Sequence, residues 1–220
     1  MYEVREKIEI TVPGQMTGPA CLEVYGNDGG EKKRSEQKVS EQRKKAVIIC
    51  PGGGYWQVVE REGAPVAKRF AQMGCQTFVL NYSVLPDGFP TSLLELERAV
   101  ELVRTRADDW DVNPEQILVC GFSAGGHLAC SLGVFWNRGM VYQTLGEENG
   151  ENFRPNGMIL AYPVITSGQF AHKKFVERLF QHSGGASEEE RKYEINGRDH
   201  YVACHFAEEN IRHACEQDTE

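Results

Sequence analysis

A serine lies at the centre of Gly121-Phe122-Ser123-Ala124-Gly125, between an apolar run and a segment with helical periodicity. A GxSxG sequence in this context is typical of a sharp strand-to-helix turn that exposes the serine hydroxyl. The start of the following helix places N–H groups where negative charge develops during acyl transfer. The pattern therefore predicts that Ser123 is a nucleophile. The alternative is a capping serine before a glycine-rich turn.

A second glycine-rich stretch, Pro51-Gly52-Gly53-Gly54-Tyr55, directly follows another apolar run. Acyl transfer passes through a tetrahedral oxyanion, which backbone N–H donors stabilise strongly when they point at it. Three consecutive glycines let the chain turn inward without obstruction by side chains. We therefore expect Gly53 and Gly54 to donate to an oxyanion hole, together with Ala124. A flexible turn is the alternative for this loop.

The rest of the chain must place these two loops on the ends of neighbouring strands. Continuous apolar runs separated by segments of helical spacing favour an α/β fold with a mostly parallel, doubly wound sheet covered on both faces. The expected strands are 7–12, 20–25, 46–50, 76–83, 117–122 and 158–164. The expected helices start at Pro65, at a capping box formed by Ser92 and Glu95, and at 124–136, with a turn at 111–114.

These motifs resemble the α/β-hydrolase superfamily, in particular acetylxylan- and feruloyl-esterase-like (BD-FAE-like) and hormone-sensitive-lipase-like carboxylesterases. The similarity extends over about residues 46–185, including PGGGY, DVNPEQILVCGFSAGGHLA and RPNGMILAYPV. Many relatives carry HGGG at the first loop, where this chain has Pro51 instead of histidine. The resemblance implies hydrolysis of short acyl esters, including acetyl groups on sugars, with no cofactor and no metal.

The acid and base of a catalytic triad stay unknown. In the resembled superfamily they follow the two strands after 158–164. The residues beyond Val164 are mostly polar and hold one short strand candidate, at 201–206. We therefore expect a sheet that lacks its last two strands. Such a sheet would leave 158–164 as an apolar edge, which predicts that the protein is unstable or self-associates.

The histidines are the candidates for the general base. His127 lies one helical turn beyond the serine, where the resemblance implies packing or hydrogen bonding rather than catalysis. His172 and His182 are expected at the surface or in packing contacts. Asp199 and His205 form a conceivable acid–base pair, but a polar tail has no rigid element to hold them in a catalytic geometry. None of these residues is predicted to be the base.

Three functions therefore remain open: an esterase using Ser123, a non-catalytic remnant that acts as a binding module, and a peptidase or lipase on the same scaffold. Tyr55, Trp56 and residues 166–182 are candidate contacts for an acyl or sugar group. Packing in the core is the alternative for the two aromatic residues.

The composition excludes several other classes. The 220 residues carry 24 Lys+Arg against 32 Asp+Glu, a net charge of −8, which is unfavourable for a general nucleic-acid binder. No apolar run suits a membrane-spanning helix, and MYEVREKIEI lacks the apolar core of a signal peptide. We expect one cytoplasmic domain over 1–220, with a charged loop at 26–45 and an atypical tail at 196–220. Its expected partner is a small-molecule or carbohydrate ester, not nucleic acid or membrane.

The seven cysteines are scattered and form no CxxC pair, so neither a zinc site nor a disulfide framework is expected. Cys50 and Cys120 lie in apolar runs, where a reduced cysteine behaves as a small hydrophobic residue.

Overall fold

The computed structural model describes residues 2–27 and 43–166. These residues form a six-stranded sheet with the order β1-β2-β4-β3-β5-β6. The strands are β1 (Tyr2–Ile10), β2 (Ala20–Asn27), β3 (Lys44–Cys50), β4 (Gln76–Asn81), β5 (Val112–Phe122) and β6 (Gly157–Ala161). The α-helices in the described ranges are α1 (Ala64–Gln72), α2 (Gly88–Thr105), α3 (Ala124–Phe135) and α4 (Gly139–Thr144).

Four adjacent strands, β4, β3, β5 and β6, run parallel, whereas β1 and β2 form an antiparallel hairpin that joins the sheet at β4. The predicted mostly parallel α/β architecture is confirmed. The expected absence of the last two strands concerns residues outside the described ranges.

Both faces of the sheet are covered, and each central strand contains a continuous apolar run, such as 46–50 in β3. In β3, Val47 and Ile49 pack on the face that carries α1, and Ile48 and Cys50 pack on the face that carries α2 and α3. All four side chains are fully buried. A strand that is buried on both faces needs a continuous apolar sequence, and this sequence at 46–50 correctly predicted β3.

The two edges of the described sheet differ in chemistry. The outer strand β1 is rich in charged residues, and Lys7 forms an ion pair with Glu23 of β2 (2.8 Å). At the other end, Met158 and Ile159 of β6 are 43% and 38% exposed. Charged residues discourage further strand pairing at an edge, whereas apolar ones favour it.

The predicted capping box was wrong. Ser92 and Glu95 lie inside α2, which begins at Gly88, and both are fully buried. The Glu95 carboxylate instead accepts hydrogen bonds from the backbone N–H of Ser83 (2.7 Å) and the side-chain amide of Gln15 (2.6 Å). The Ser-x-x-Glu spacing therefore reflects buried packing rather than a helix start.

The predicted turn at 111–114 was also wrong in most of its length. Asp111 does adopt a left-handed turn conformation, with φ of 55°, but β5 starts at the next residue. Lys44 pairs with Val112 and Ala46 pairs with Ile117, so residues 113–116 bulge out of the ladder. Strand β1 starts earlier than expected, and β4 and β6 end earlier.

The helices that flank the two loops agree closely with the sequence patterns. Helix α1 begins at Ala64 with Pro65 in its first turn, where a missing N–H costs no hydrogen bond. Helix α3 begins directly after Ser123, as predicted. No helix in the described ranges combines the length and the apolar character needed to cross a membrane.

Candidate active site

Ser123 forms the turn between β5 and α3, with φ of 51° and ψ of −112°. Such a backbone conformation costs on the order of 1–3 kcal/mol and persists only where surrounding contacts hold it. The Ser123 N–H donates to the carbonyl of Ala161 (3.0 Å). The Ser123 carbonyl accepts from the N–H groups of His127 (3.0 Å) and Val164 (3.3 Å). The side chain is half-buried, so it lies at the end of the sheet and outside the core.

The glycines around Ser123 permit a close approach of backbone segments. A Cβ atom on Gly121 would overlap the carbonyl of Gly125, and a Cβ atom on Gly125 would overlap the carbonyl oxygen of Cys50. The end of β3 is therefore pressed against the first turn of α3. Parallel pairing of Cys50 with Gly121 brings the two strand ends to the same level.

The triple-glycine loop passes directly beside Ser123. A Cβ atom on Gly52 would lie 3.2 Å from the Cβ of Ser123 and 2.9 Å from the carbonyl oxygen of Phe122. The Tyr82 hydroxyl donates to the Pro51 carbonyl (2.6 Å) and fixes the start of the loop. The structure thus brings together the two stretches that the sequence predicted to share a site.

The peptide orientations in this loop follow from its carbonyl contacts. The Gly52 carbonyl accepts from the N–H of Val59 (3.0 Å), and the Gly53 carbonyl accepts from the N–H of Trp56 (3.1 Å). In a planar trans peptide, the C=O and the next N–H point in opposite directions. The N–H groups of Gly53 and Gly54 therefore point away from the rest of the loop. Neither donates a hydrogen bond to a residue in the described part of the chain.

Ala124 is the first residue of α3, so its N–H has no acceptor within the helix. The helix dipole adds partial positive charge at this end, worth about 0.3–1 kcal/mol toward an anion. The N–H groups at Gly53, Gly54 and Ala124 thus lie on two touching loops and have the chemistry needed to stabilise an oxyanion.

Sequence reasoning missed two residues at this site, Glu62 and Tyr162. Glu62 lies in a short 3₁₀ turn before α1, and Tyr162 directly follows β6. The Glu62 carboxylate accepts hydrogen bonds from the Gly52 N–H (2.8 Å) and from the Tyr162 hydroxyl (2.8 Å). No local pattern marks either residue, because their contact joins segments 100 residues apart.

His127 has the packing role that was expected for it. Its side chain is 2% exposed, its Nδ1 lies 2.9 Å from the Tyr55 hydroxyl, and its ring packs edge-on against Phe89. Burial lowers the pKa of His127 to about 4, so the ring is neutral at pH 7. Tyr55 is itself 2% exposed and belongs to the core rather than to an exposed contact surface.

Trp56 is 56% exposed on the triple-glycine loop, so it stays a candidate contact for a bound ester.

Cys50 and Cys120 are buried as small core residues, and burial raises the pKa of the Cys120 thiol to about 11. No group of His, Cys, Asp and Glu side chains suited to a metal ion occurs within residues 2–27 and 43–166. His172, His182, Asp199 and His205 lie outside the described residues, as does the 166–182 stretch beyond its first residue.

The BD-FAE family model matches residues 35–190, which is well over half of the chain. The chain belongs to the BD-FAE family. This match confirms the resemblance inferred from the two loops, and it includes both the triple-glycine loop and the Ser123 turn.

Several named relatives of this BD-FAE-family chain are esterases. It is 34% identical over 132 residues to an acetylxylan esterase of Xylanibacter ruminicola, which covers 59% of this chain and 25% of that protein. An acetyl ester-xyloside bifunctional hydrolase from Caldicellulosiruptor lactoaceticus has a similar structure, with a TM-score of 0.62 and 30% identity over 77% of this chain and 61% of that one. The carboxylesterase Cest-2923 from Lactobacillus plantarum also gives a TM-score of 0.62, with 26% identity over 80% and 62% of the two chains.

These similarities place the BD-FAE-family chain in the α/β-hydrolase superfamily, next to proteins that are named esterases and carboxylesterases. The chain spans about a quarter of the length of the curated relatives it matches and about three fifths of the solved structures.

Proposed function

We propose that this chain hydrolyses short-chain carboxylic esters, with acetyl groups on sugars as the preferred substrate class and Ser123 as the nucleophile. The observation that carries the proposal is the contact between the two loops, with the Gly52 backbone beside the Ser123 side chain. The acetylxylan esterase and acetyl ester-xyloside hydrolase among the relatives support the substrate class.

In this mechanism, the Ser123 hydroxyl oxygen attacks the acyl carbon while its proton passes to a general base. The carbonyl oxygen becomes an oxyanion that accepts hydrogen bonds from the N–H groups of Gly53, Gly54 and Ala124. Removal of one such donor lowers the rate by about 10²–10³-fold in a related type of site. The oxyanion collapses, the C–O bond of the ester breaks, and the alcohol leaves with a proton. Water then hydrolyses the acyl-serine ester to release the acid and restore the hydroxyl.

The general base is assigned to no described residue. His127 is the one histidine within residues 2–27 and 43–166, and its ring is buried against Tyr55. The second candidate function is an ester-binding module that keeps the oxyanion site without efficient turnover. Sites that lack a triad member still retain about 10³–10⁴-fold acceleration over water, so the two candidates differ in rate.

The experiment compares the wild-type chain with Ser123→Ala, using p-nitrophenyl acetate and a fluorophosphonate probe. Ser131→Ala is the matched control, because it removes a hydroxyl further along α3 that donates within the helix to the His127 carbonyl. Hydrolysis and labelling that disappear only in Ser123→Ala support the esterase. Equal rates in all three proteins contradict it. Ester binding without labelling favours the binding module. If the chain is an esterase, the release of acetate from acetylated xylo-oligosaccharides tests whether acetyl groups on sugars are its substrates.

We also infer that the chain self-associates through the outer edge of β6, which pairs with a second copy. The exposed Met158 and Ile159 side chains support this inference, because β6 is the last strand of the sheet within the described residues and an apolar strand edge attracts another strand.

A further inference from the structure

We infer that Glu62 is a positioning residue: its carboxylate fixes the Gly52 peptide beside Ser123 and ties this peptide to Tyr162 at the end of β6. The inference rests on the proposed function of Ser123 and deepens it, because it identifies what holds the oxyanion loop in place.

The two oxygens of Glu62 bind two different parts of the site. Oε2 accepts from the Gly52 N–H (2.8 Å), and Oε1 accepts from the Tyr162 hydroxyl (2.8 Å). Oε2 also lies 2.7 Å from the position that a Cβ atom on Gly52 would take. The carboxylate thus occupies the space in which any other residue at position 52 would place its side chain.

The carboxylate is held by a closed set of contacts within the loop. The Gly52 carbonyl accepts from the Val59 N–H (3.0 Å), and the Val59 carbonyl accepts from the Glu62 N–H (3.0 Å). The bond from the Gly52 N–H to the Glu62 side chain completes the ring. Both the N–H and the carbonyl of Gly52 are therefore engaged, so the peptides on each side of it cannot rotate freely.

The Tyr162 contact connects this ring to the nucleophile. Tyr162 follows Ala161, whose carbonyl accepts from the Ser123 N–H (3.0 Å). Tyr162 also lies in the left-handed region, with φ of 38°, and its ring is 5.9 Å from that of Phe122. Displacement of the turn after β6 would thus move both the Ser123 turn and the Glu62 carboxylate. The Ser123 turn and the triple-glycine loop are therefore held in a fixed position relative to each other.

This arrangement determines which N–H groups face the substrate. Glu62 uses the Gly52 N–H, and the fixed Gly52 carbonyl directs the Gly53 N–H the opposite way. Without the carboxylate, the Pro51–Gly52 peptide keeps only the Tyr82 bond to its carbonyl, and the next peptide, which carries the Gly53 N–H, loses the support of a fixed neighbour. A displacement of about 1 Å at a reacting group lowers the rate by about 100-fold, which sets the scale of the effect.

The test uses the full chain with Glu62→Ala, Glu62→Gln and Tyr162→Phe. Glutamine can accept from the Gly52 N–H with its oxygen and donate to the Tyr162 hydroxyl with its amide, so it preserves both contacts. Glu60→Ala is the matched control, because it removes an exposed carboxylate from the same 3₁₀ turn. Thermal unfolding of each variant establishes that it is folded.

The first measurement is amide hydrogen exchange at residues 52–54, which needs no catalysis. We expect Glu62→Ala to speed exchange at Gly52 by at least about tenfold, in line with the loss of a hydrogen bond to a charged acceptor. Glu62→Gln and Glu60→Ala should exchange like the wild type. Unchanged exchange at Gly52 in Glu62→Ala would overturn the inference.

The second measurement is the rate of fluorophosphonate labelling of Ser123, together with kcat and KM for p-nitrophenyl acetate. We expect Glu62→Ala to lower kcat and the labelling rate by about 10–100-fold with KM unchanged, and Tyr162→Phe to lower them about threefold. Glu62→Gln should restore both. If Glu62→Gln lowers kcat and the labelling rate as much as Glu62→Ala does, the inference that Glu62 acts through its hydrogen bonds is wrong. If the wild type itself neither labels nor hydrolyses, the proposed function fails, and the exchange data alone decide the role of Glu62.

Discussion

The hydroxyl of Tyr55 lies 2.9 Å from Nδ1 of His127, inside the core. This contact joins Tyr55 of the triple-glycine loop to the first turn of α3. Tyr55 has φ of 59°, so its backbone is held in a conformation that non-glycine residues rarely adopt. The buried pair therefore supports the two loops from behind, and burial lowers the pKa of its imidazole, which is neutral at pH 7.

The first prediction concerns this imidazole. Burial lowers the pKa of His127 from 6.5 to about 4. Between these values the unfolded chain binds a proton that the folded chain does not, so the folded state loses stability as the pH falls from 6.5 toward 4. The loss amounts to roughly 3 kcal/mol, at 1.36 kcal/mol for each pKa unit. Urea unfolding of the wild type and of His127→Gln, at about pH 7 and about pH 4, measures it.

The difference between the two proteins isolates His127 from the carboxylates that titrate in the same range. We expect the His127→Gln variant to lose markedly less stability than the wild type over this interval. Parallel stability curves for the two proteins would contradict the prediction and would show that the ring can be protonated in the folded state at little cost.

The second prediction compares Glu95 with Glu97, both fully buried in α2. Neither carboxylate oxygen of Glu97 has a hydrogen-bond partner in the described structure, and burial raises its pKa well above the ordinary value. Glu97→Leu should therefore stabilise the protein at pH 7, by about 1–3 kcal/mol. Above pH 4.5 the folded state keeps Glu97 protonated while the unfolded state releases this proton. The stability of the wild type therefore falls as the pH rises above 4.5, and the stabilisation gained in Glu97→Leu increases with pH.

Glu95→Leu is the matched control on the same helix. Glu95 accepts hydrogen bonds from both the N–H and the hydroxyl of Ser83, so its removal leaves these donors unpaired. We expect this variant to lose about 1–3 kcal/mol, the cost of a buried unsatisfied group. Guanidinium unfolding of both variants measures the contrast, and a shift of the same sign in the two proteins would contradict it.

The architecture and the two loops were predictable because their signals are local. The apolar residues of β3 are contiguous, and the GxSxG spacing reflects a local backbone contact that only glycine permits, that of Gly121 against the Gly125 carbonyl. These constraints act within a few residues of the chain. They identify a strand or a turn without knowledge of the rest of the fold. The roles of Ser123 and of the oxyanion donors stay predictions.

The rest of the site depends on contacts that no short segment records. Glu62 and Tyr162 are 100 residues apart, and nothing in either neighbourhood indicates that they meet. The spacing of Ser92 and Glu95 matched a capping box, yet Glu95 pairs with Ser83 in the core. A carboxylate that serves a tertiary contact has the same sequence pattern as one that caps a helix, so the pattern alone could not separate them.

The third prediction tests the oxyanion loop with Gly53→Ala. Gly53 has φ of 136°, and a Cβ atom there would overlap the carbonyl of Gln57. The substitution should displace the Gly53 N–H and lower the fluorophosphonate labelling rate of Ser123 by about 10²-fold or more. Rate constants for labelling at matched probe concentrations measure this effect. Equal labelling of variant and wild type would show that the loop does not donate.

Gly14→Ala is the control for backbone strain. Gly14 has φ of 76° in the β1–β2 turn, and a Cβ atom there would meet nothing within 4 Å. This substitution should cost about 1–2 kcal/mol of stability, the penalty of a left-handed conformation, with labelling unchanged. A loss of labelling in Gly14→Ala would indicate that general destabilisation, rather than the oxyanion loop, controls the rate.

The fourth prediction concerns the two edges of the described sheet. Ile159→Lys places a charge on β6, where exposed apolar residues favour pairing with a second copy. Sedimentation velocity over a range of protein concentrations should show association in the wild type and a shift toward monomer in this variant. Val4→Lys makes the same charge change on β1, which is already charged and where Val4 is 36% exposed. It should leave association unchanged, because that edge does not drive it. A wild type that stays monomeric at every concentration, or an equal response to both substitutions, would exclude β6 as the contact surface.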